Sequence, residues 1–77
     1  MIDVDYGHIV IKLDEQMKKQ NVSISKLAYR AEMQRTQLKA YMKQDIVRVD
    51  LAVIARLCYA LQCDISDLIE YIPPKTD

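Results

Sequence analysis

The sequence predicts an all-α fold, a compact bundle of about five short helices behind a short extended N-terminal arm. Three observations carry this. Apolar residues recur at helical spacing along most of the chain, short polar links separate the periodic stretches, and glycine occurs once and proline twice in 77 residues. This length allows one small core. With 51% hydrophobic and 29% charged residues, it has the composition of an ordinary globular protein.

The elements follow in order. Ile2, Asp3, Val4, Asp5 and Tyr6 alternate apolar with polar before Gly7, so residues 1–7 read as an extended arm, loose or paired with a second copy. Ile9, Leu13 and Met17 recur every fourth residue, predicting a first helix over 8–20 that stops near Asn21. A second begins at Ser23 or Ser25, whose hydroxyl can accept the orphan amides of a first turn, and turns Leu27, Ala28 and Ala31 inward. After the interruption 32–34, a third helix over 34–42 sets Leu38 and Tyr41 against Arg35, Thr36, Lys39, Ala40 and Lys43. A connector over 45–49 precedes a fourth helix over 50–61 with an aspartate cap. Leu51, Ile54, Leu57, Cys58 and Leu61 form its inner face, and Val53 and Ala60 extend an apolar edge beyond what a monomer needs. A fifth helix over 65–71 turns Ile65, Leu68 and Ile69 inward. It ends before Pro73 and Pro74, and residues 73–77 read as a disordered tail. The bundle therefore occupies 8–72.

The formal net charge of zero conceals segregation. Between Lys18 and Arg48 stand eight bases and two acids, Glu32 and Asp45, whereas both flanks are acidic. A basic middle between acidic ends is the sequence pattern of a one-sided anion-binding surface.

Other chemistries lack their residues. Cys58 lies on an inner helix face and reads as a small buried hydrophobe; with Cys63 and one distant histidine, His8, no zinc quartet can be assembled. His8 has no nucleophile or orienting partner, and Asp14 and Glu15 are helix neighbours that diverge, so no enzyme, cofactor, metal or small-molecule substrate is expected. No apolar run spans a bilayer and no signal peptide is evident, and with so few cysteines a reducing cytoplasm is the expected location.

Residues 23–42 read Ser-Ile-Ser-Lys-Leu-Ala-Tyr-Arg-Ala-Glu-Met-Gln-Arg-Thr-Gln-Leu-Lys-Ala-Tyr-Met: two short helices, a tight turn, and a second helix with a basic face. This resembles the Cro/C1-type (XRE-like) helix-turn-helix family. Leu27 and Ala28 match its Leu-Ala pair, Met33 its apolar turn position, and Leu38 the apolar position of its recognition helix. The likeness continues through Leu51, Ile54, Leu57 and Leu61 to Asp67 and Leu68, covering roughly 9–72. Three positions depart from the family pattern: Glu32 and Gln44 where glycine is common, and Ile24 where a phosphate-touching glutamine is common.

The resemblance implies a lambda-repressor-like fold and sequence-specific binding of double-stranded DNA by a small transcriptional regulator, a repressor. Arg35, Thr36, Lys39 and Ala40 would then contact bases, and Gln34, Lys26, Arg30, Lys43 and Arg48 phosphates. One such unit reads few base pairs, so a homodimer is expected, through the Ile2 to Tyr6 arm or through Val53, Tyr59 and Ala60. The alternative is a protein-interaction module, an antitoxin-like or anti-regulator subunit whose basic face binds an acidic protein. No membrane role is expected.

Overall fold

A computed structural model describes residues 4–43 and 46–75. In chain order they form β1 (His8–Ile11), α1 (Leu13–Gln20), α2 (Ile24–Ala31), α3 (Arg35–Met42), α4 (Leu51–Leu61), α5 (Ile65–Leu68) and β2 (Ile69–Ile72). Each of the five helices sends at least one leucine into a common core. Leu13, Leu27, Leu38, Leu57, Leu61 and Leu68 are the largest fully buried side chains. Fully burying one such side chain contributes about 1.5–3 kcal/mol, and spreading the set over all five helices ties each to the rest.

Local chemistry sets the helix starts. The Ser23 hydroxyl accepts the Lys26 amide at 3.2 Å and the Asp50 carboxylate accepts the Ala52 amide at 2.9 Å. Before α5, the Asp67 carboxylate accepts the amide of Asp64 at 3.0 Å. Three helix ends share one device. Asn21, Glu32 and Gln62 each take a left-handed conformation after α1, α2 and α4. The next amides, of Val22, Met33 and Cys63, donate back to the carbonyls of Met17, Ala28 and Cys58 at 2.9, 3.0 and 3.1 Å. This is the Schellman arrangement, which satisfies orphan carbonyls and sets an apolar residue after the helix against one in its last turn.

The ends of the chain depart from an all-helical reading. Residues 8–11, expected as the first turn of a helix, instead pair antiparallel with 69–72, in register from His8 with Ile72 to Ile11 with Ile69. The fifth helix accordingly stops at Leu68 rather than 71. Consecutive Ile9, Val10 and Ile11 are stiff at χ1 and suit a strand, as do Ile69, Tyr71 and Ile72. The expected stripe from Ile9 through Leu13 to Met17 fails at its first member, because Ile9 is 59% exposed while the other two are buried. The Lys12 ammonium meets the Glu70 carboxylate at 3.4 Å across this ribbon, and the Lys12 amide donates to the Leu68 carbonyl.

Residues 4–6 of the expected arm pair with no strand of the described chain, and Val4 and Tyr6 are exposed. Ile2, Asp3, Gln44, Asp45, Thr76 and Asp77 lie outside the described residues.

The fourth helix is turned from its expected orientation. Val53, Ile54, Leu57, Ala60 and Leu61 form its buried stripe. Val53 and Ala60 therefore belong to the chain's own core and offer no spare surface to a partner, whereas Tyr59 does stand in solvent. Leu51 and Ile65, expected inward, are exposed: Leu51 opens α4 on the side away from that stripe, and Ile65 is the first residue of α5.

Candidate nucleic-acid interface

α2 packs on α4 and against α3, and α3 also touches α1. Leu38 and Tyr41 anchor α3 to the core, and the rest of it is oriented by those two positions. Arg35, Thr36, Gln37, Lys39 and Lys43 are exposed and Ala40 is half-buried. At 3.6 residues per turn, Thr36 and Lys43 lie opposite the buried pair, with Arg35, Lys39 and Ala40 flanking them. One helix face thus collects three cations, a hydroxyl and a methyl.

Around it the expected phosphate contacts are unevenly placed. Lys26 is exposed in the first turn of α2, and Gln34 holds the N-cap position of α3 without a side-chain capping bond, so its amide is free to reach outward. Arg30 stands at the last turn of α2, where it lines one groove with Tyr29, Glu32, Met33 and Gln34 and another with Arg56 and Tyr59 of α4. It therefore joins the edge of the α3 face rather than its centre. Arg48 is exposed in the connector beyond α3. Sequence reasoning passed over Gln37, which is exposed in the first turn of α3; the preference of glutamine for adenine edges was the available signal.

No acid lies in the first turn of α2 or α3. Among the described residues the ion pairs are Lys12 with Glu70 and Lys18 with Asp14, so no cation of this face is paired with a described acid. Exposed, unpaired cations around a helix that presents polar groups can hold a polyanion and approach base edges at once.

The turn between α2 and α3 carries a cost at Glu32, whose φ of 55° is the left-handed conformation glycine adopts freely. Glu32→Gly is expected to raise stability by about 1 kcal/mol, seen as a rise in melting temperature of roughly 4–8 °C. It should also delay elution from a heparin column, because the α2–α3 turn loses its acid. An unchanged melting temperature would show that the Glu32 backbone carries no strain.

The two thiols are poor candidates for chemistry. Both are free and half-buried. Burial pushes the Cys58 thiol up, with Asp64 adding to it; burial and the neighbouring Cys58 push Cys63 up. Each is thereby less of a thiolate at neutral pH and a weaker nucleophile or metal ligand. No cluster of three or more potential metal ligands occurs among the described residues.

Residues 12–74, most of the chain, match the family of the Cro/C1-type HTH DNA-binding domain. The chain belongs to the Cro/C1-type HTH family. It is a family of DNA-binding domains and not of enzymes, so DNA is the partner that membership implies. The match starts at Lys12 and so leaves out β1, while it takes in all of β2. No curated protein matches the chain. Among the described residues, no helix of this Cro/C1-type domain is long and apolar enough to cross a membrane.

Proposed function

We propose that the chain is a small transcriptional regulator, a repressor, that binds an inverted repeat in double-stranded DNA as a homodimer in the cytoplasm. The observation that carries this is the exposed cationic face of α3, which has no ion pair among the described residues and is fixed to the core by Leu38 and Tyr41. The proposed unit is the helix-turn-helix domain over 8–72. α3 enters the major groove with its N-terminal turn toward the bases. Arg35 donates two hydrogen bonds to guanine, Thr36 and Lys39 reach neighbouring edges, and the Ala40 methyl meets a thymine methyl. Gln34, Lys26, Arg30, Lys43 and Arg48 hold phosphates, which gives affinity without sequence choice. A repressor needs nothing more, since occupying the site excludes other proteins from it.

Selection from a randomised duplex pool tests the reading. The expected winner is an inverted repeat with half-sites about one helical turn apart. Four Lys/Arg phosphate contacts per protomer, or eight per dimer, set an expected slope of log affinity against log salt of about −7. Arg35→Ala should relax preference at one base pair by about 1–3 kcal/mol, whereas Lys43→Ala should weaken all sequences alike. Arg35→Ala with unaltered preference would remove Arg35 from the base contacts.

One observation favours a second reading, a module that binds an acidic protein. Tyr29 and Tyr59 are 86% and 82% exposed beside Arg30 and Arg56, and tyrosine with arginine is the composition of protein-binding hot spots. Enrichment of a duplex in the selection decides for DNA; failure of any duplex to compete with a protein partner decides for the module.

A further inference from the structure

Of the ten large hydrophobic residues exposed among the described residues, seven fall in the N-terminal segment with β1, in β2, or in residues 47–51 leading into α4. The fold brings these segments together. Ile9, Ile11, Ile46, Val47, Val49 and Ile69 line one groove of about 150 Å³ between the ribbon and the connector. The strand register sets Tyr71 beside Ile9 and Ile69 beside Ile11 on the same ribbon face. Val47 is 98% exposed at the groove wall, so the described residues leave it uncovered. Scattered apolar side chains on a surface are ordinary, but a contiguous aliphatic groove marks a binding site.

The chemistry of the groove identifies the occupant. Its lining holds no charge and no side-chain hydrogen-bonding group, which excludes DNA and polar ligands. It also means that two copies of the surface do not repel each other. Charge begins only at the rim, where Arg48 and Asp50 flank Val49 with opposite signs, both exposed. A two-fold axis near Val49 places Arg48 against Asp50 of the second copy, so the rim is complementary to itself, as an isologous interface requires. An apolar centre with a polar rim is the ordinary anatomy of such an interface. Ile46 follows Met42 by four residues, so the groove lies within about 14 Å of the end of α3. An axis there sets the two copies of α3 on either side of it.

We propose that the groove between the β1–β2 ribbon and the 46–49 connector is the dimer interface, occupied by Val47 and Ile9 of a second copy. This assigns a surface to the homodimer of the DNA-binding reading and rests on that reading only for the use made of the dimer. The arm and the α4 edge are thereby replaced as its main contacts. Arg48 is thereby moved from the phosphates to the dyad, which leaves Lys26, Arg30 and Lys43 as the Lys/Arg phosphate contacts and reduces the expected salt slope of the dimer to about −5.

Sedimentation equilibrium of the full chain tests the interface. Wild type is expected to be dimeric at micromolar concentration and Val47→Asp monomeric. Because Val47 is solvent-exposed, the variant keeps its helical circular dichroism. Tyr59→Asp, on the α4 surface, should stay dimeric. A monomeric wild type, a dimeric Val47→Asp, or a monomeric Tyr59→Asp would each overturn the assignment. Binding to the selected duplex separates the two proposals. Val47→Asp should bind a single half-site as wild type does and lose about a hundredfold or more on the inverted repeat. If no duplex is selected while Val47→Asp still breaks the dimer, the interface stands and the DNA-binding reading falls. If wild type and Val47→Asp bind the repeat equally, the DNA-binding reading stands and the interface falls.

Discussion

Leu38→Ala is expected to lower stability by about 2–5 kcal/mol, the range for a leucine lost from a core that collapses only partly around the cavity. Leu38 is completely buried and is one of two buried anchors of α3. A chain of 77 residues has roughly 4–12 kcal/mol in total, at about 0.05–0.15 kcal/mol per residue. The variant thus loses a large share of its folded population, and its melting temperature should fall by roughly 8 °C or more. DNA affinity should fall further than a mixture of folded and unfolded chains explains, because α3 in the folded fraction is held by Tyr41 alone. Thermal melts followed by circular dichroism, with duplex titration below the melt, separate the two effects. A stability loss under about 1 kcal/mol would show that α3 is positioned by something other than its Leu38 anchor.

The contrast between the centre and the ends of the chain has a physical cause. From Ser23 to Met42 the signals are local. Ser23 caps α2 within three residues of itself, as Asp50 later caps α4, and the buried pairs Leu27 with Ala31 and Leu38 with Tyr41 follow spacings that a single helix decides. The outward face of α3 follows from the burial of Leu38 and Tyr41, so the exposure of Arg35, Thr36 and Lys39 is legible in the sequence.

The ribbon was not legible in this way. Its partners are some sixty residues apart, from Ile11 with Ile69 to His8 with Ile72. A three-residue β-branched run, Ile9 to Ile11, beside a helix continues the helical stripe well enough to be read as part of it. The rotation of α4 was equally hidden, because Leu51, Val53, Ile54 and Leu57 are all apolar. Only the neighbouring helices decide which of them face inward. The error had a functional consequence: it offered Val53 and Ala60 to a partner and overlooked Val47, which no periodicity singles out. Glu32 shows a third case. It stands where glycine is common in the family, and the structure places it at φ 55°, the conformation that glycine adopts freely.

The largest effect expected at the ribbon comes from the chain's one glycine. Gly7 has a φ of 81°, and a Cβ there would strike the backbone carbonyl oxygen of Ile72 and come to 3.0 Å from the Tyr71 ring and hydroxyl. The first obstacle is backbone, so it cannot swing aside as a flexible side chain does. Gly7→Ala must therefore leave its conformation or displace the end of β2, at a cost of about 1–3 kcal/mol. The contacts at risk are the Tyr71 hydroxyl donating to the Tyr6 carbonyl at 2.7 Å and the Gly7 amide donating to the Asp5 carboxylate at 2.9 Å. α2, α3 and α4 take no part in them, so amide chemical shifts in a two-dimensional NMR spectrum should move in 4–12 and 69–72 and stay fixed in 24–42. Through Ile9 and Ile69 the same displacement deforms the groove assigned to the second copy, so Gly7→Ala should dimerise less well while its single half-site affinity is retained. A spectrum unchanged around Tyr71 would mean that the backbone at Gly7 relaxes without cost and that the ribbon end is not held by this close approach. Shifts spreading into α3 would instead couple the ribbon to the recognition helix, and the arm would then tune DNA binding directly rather than through the dimer.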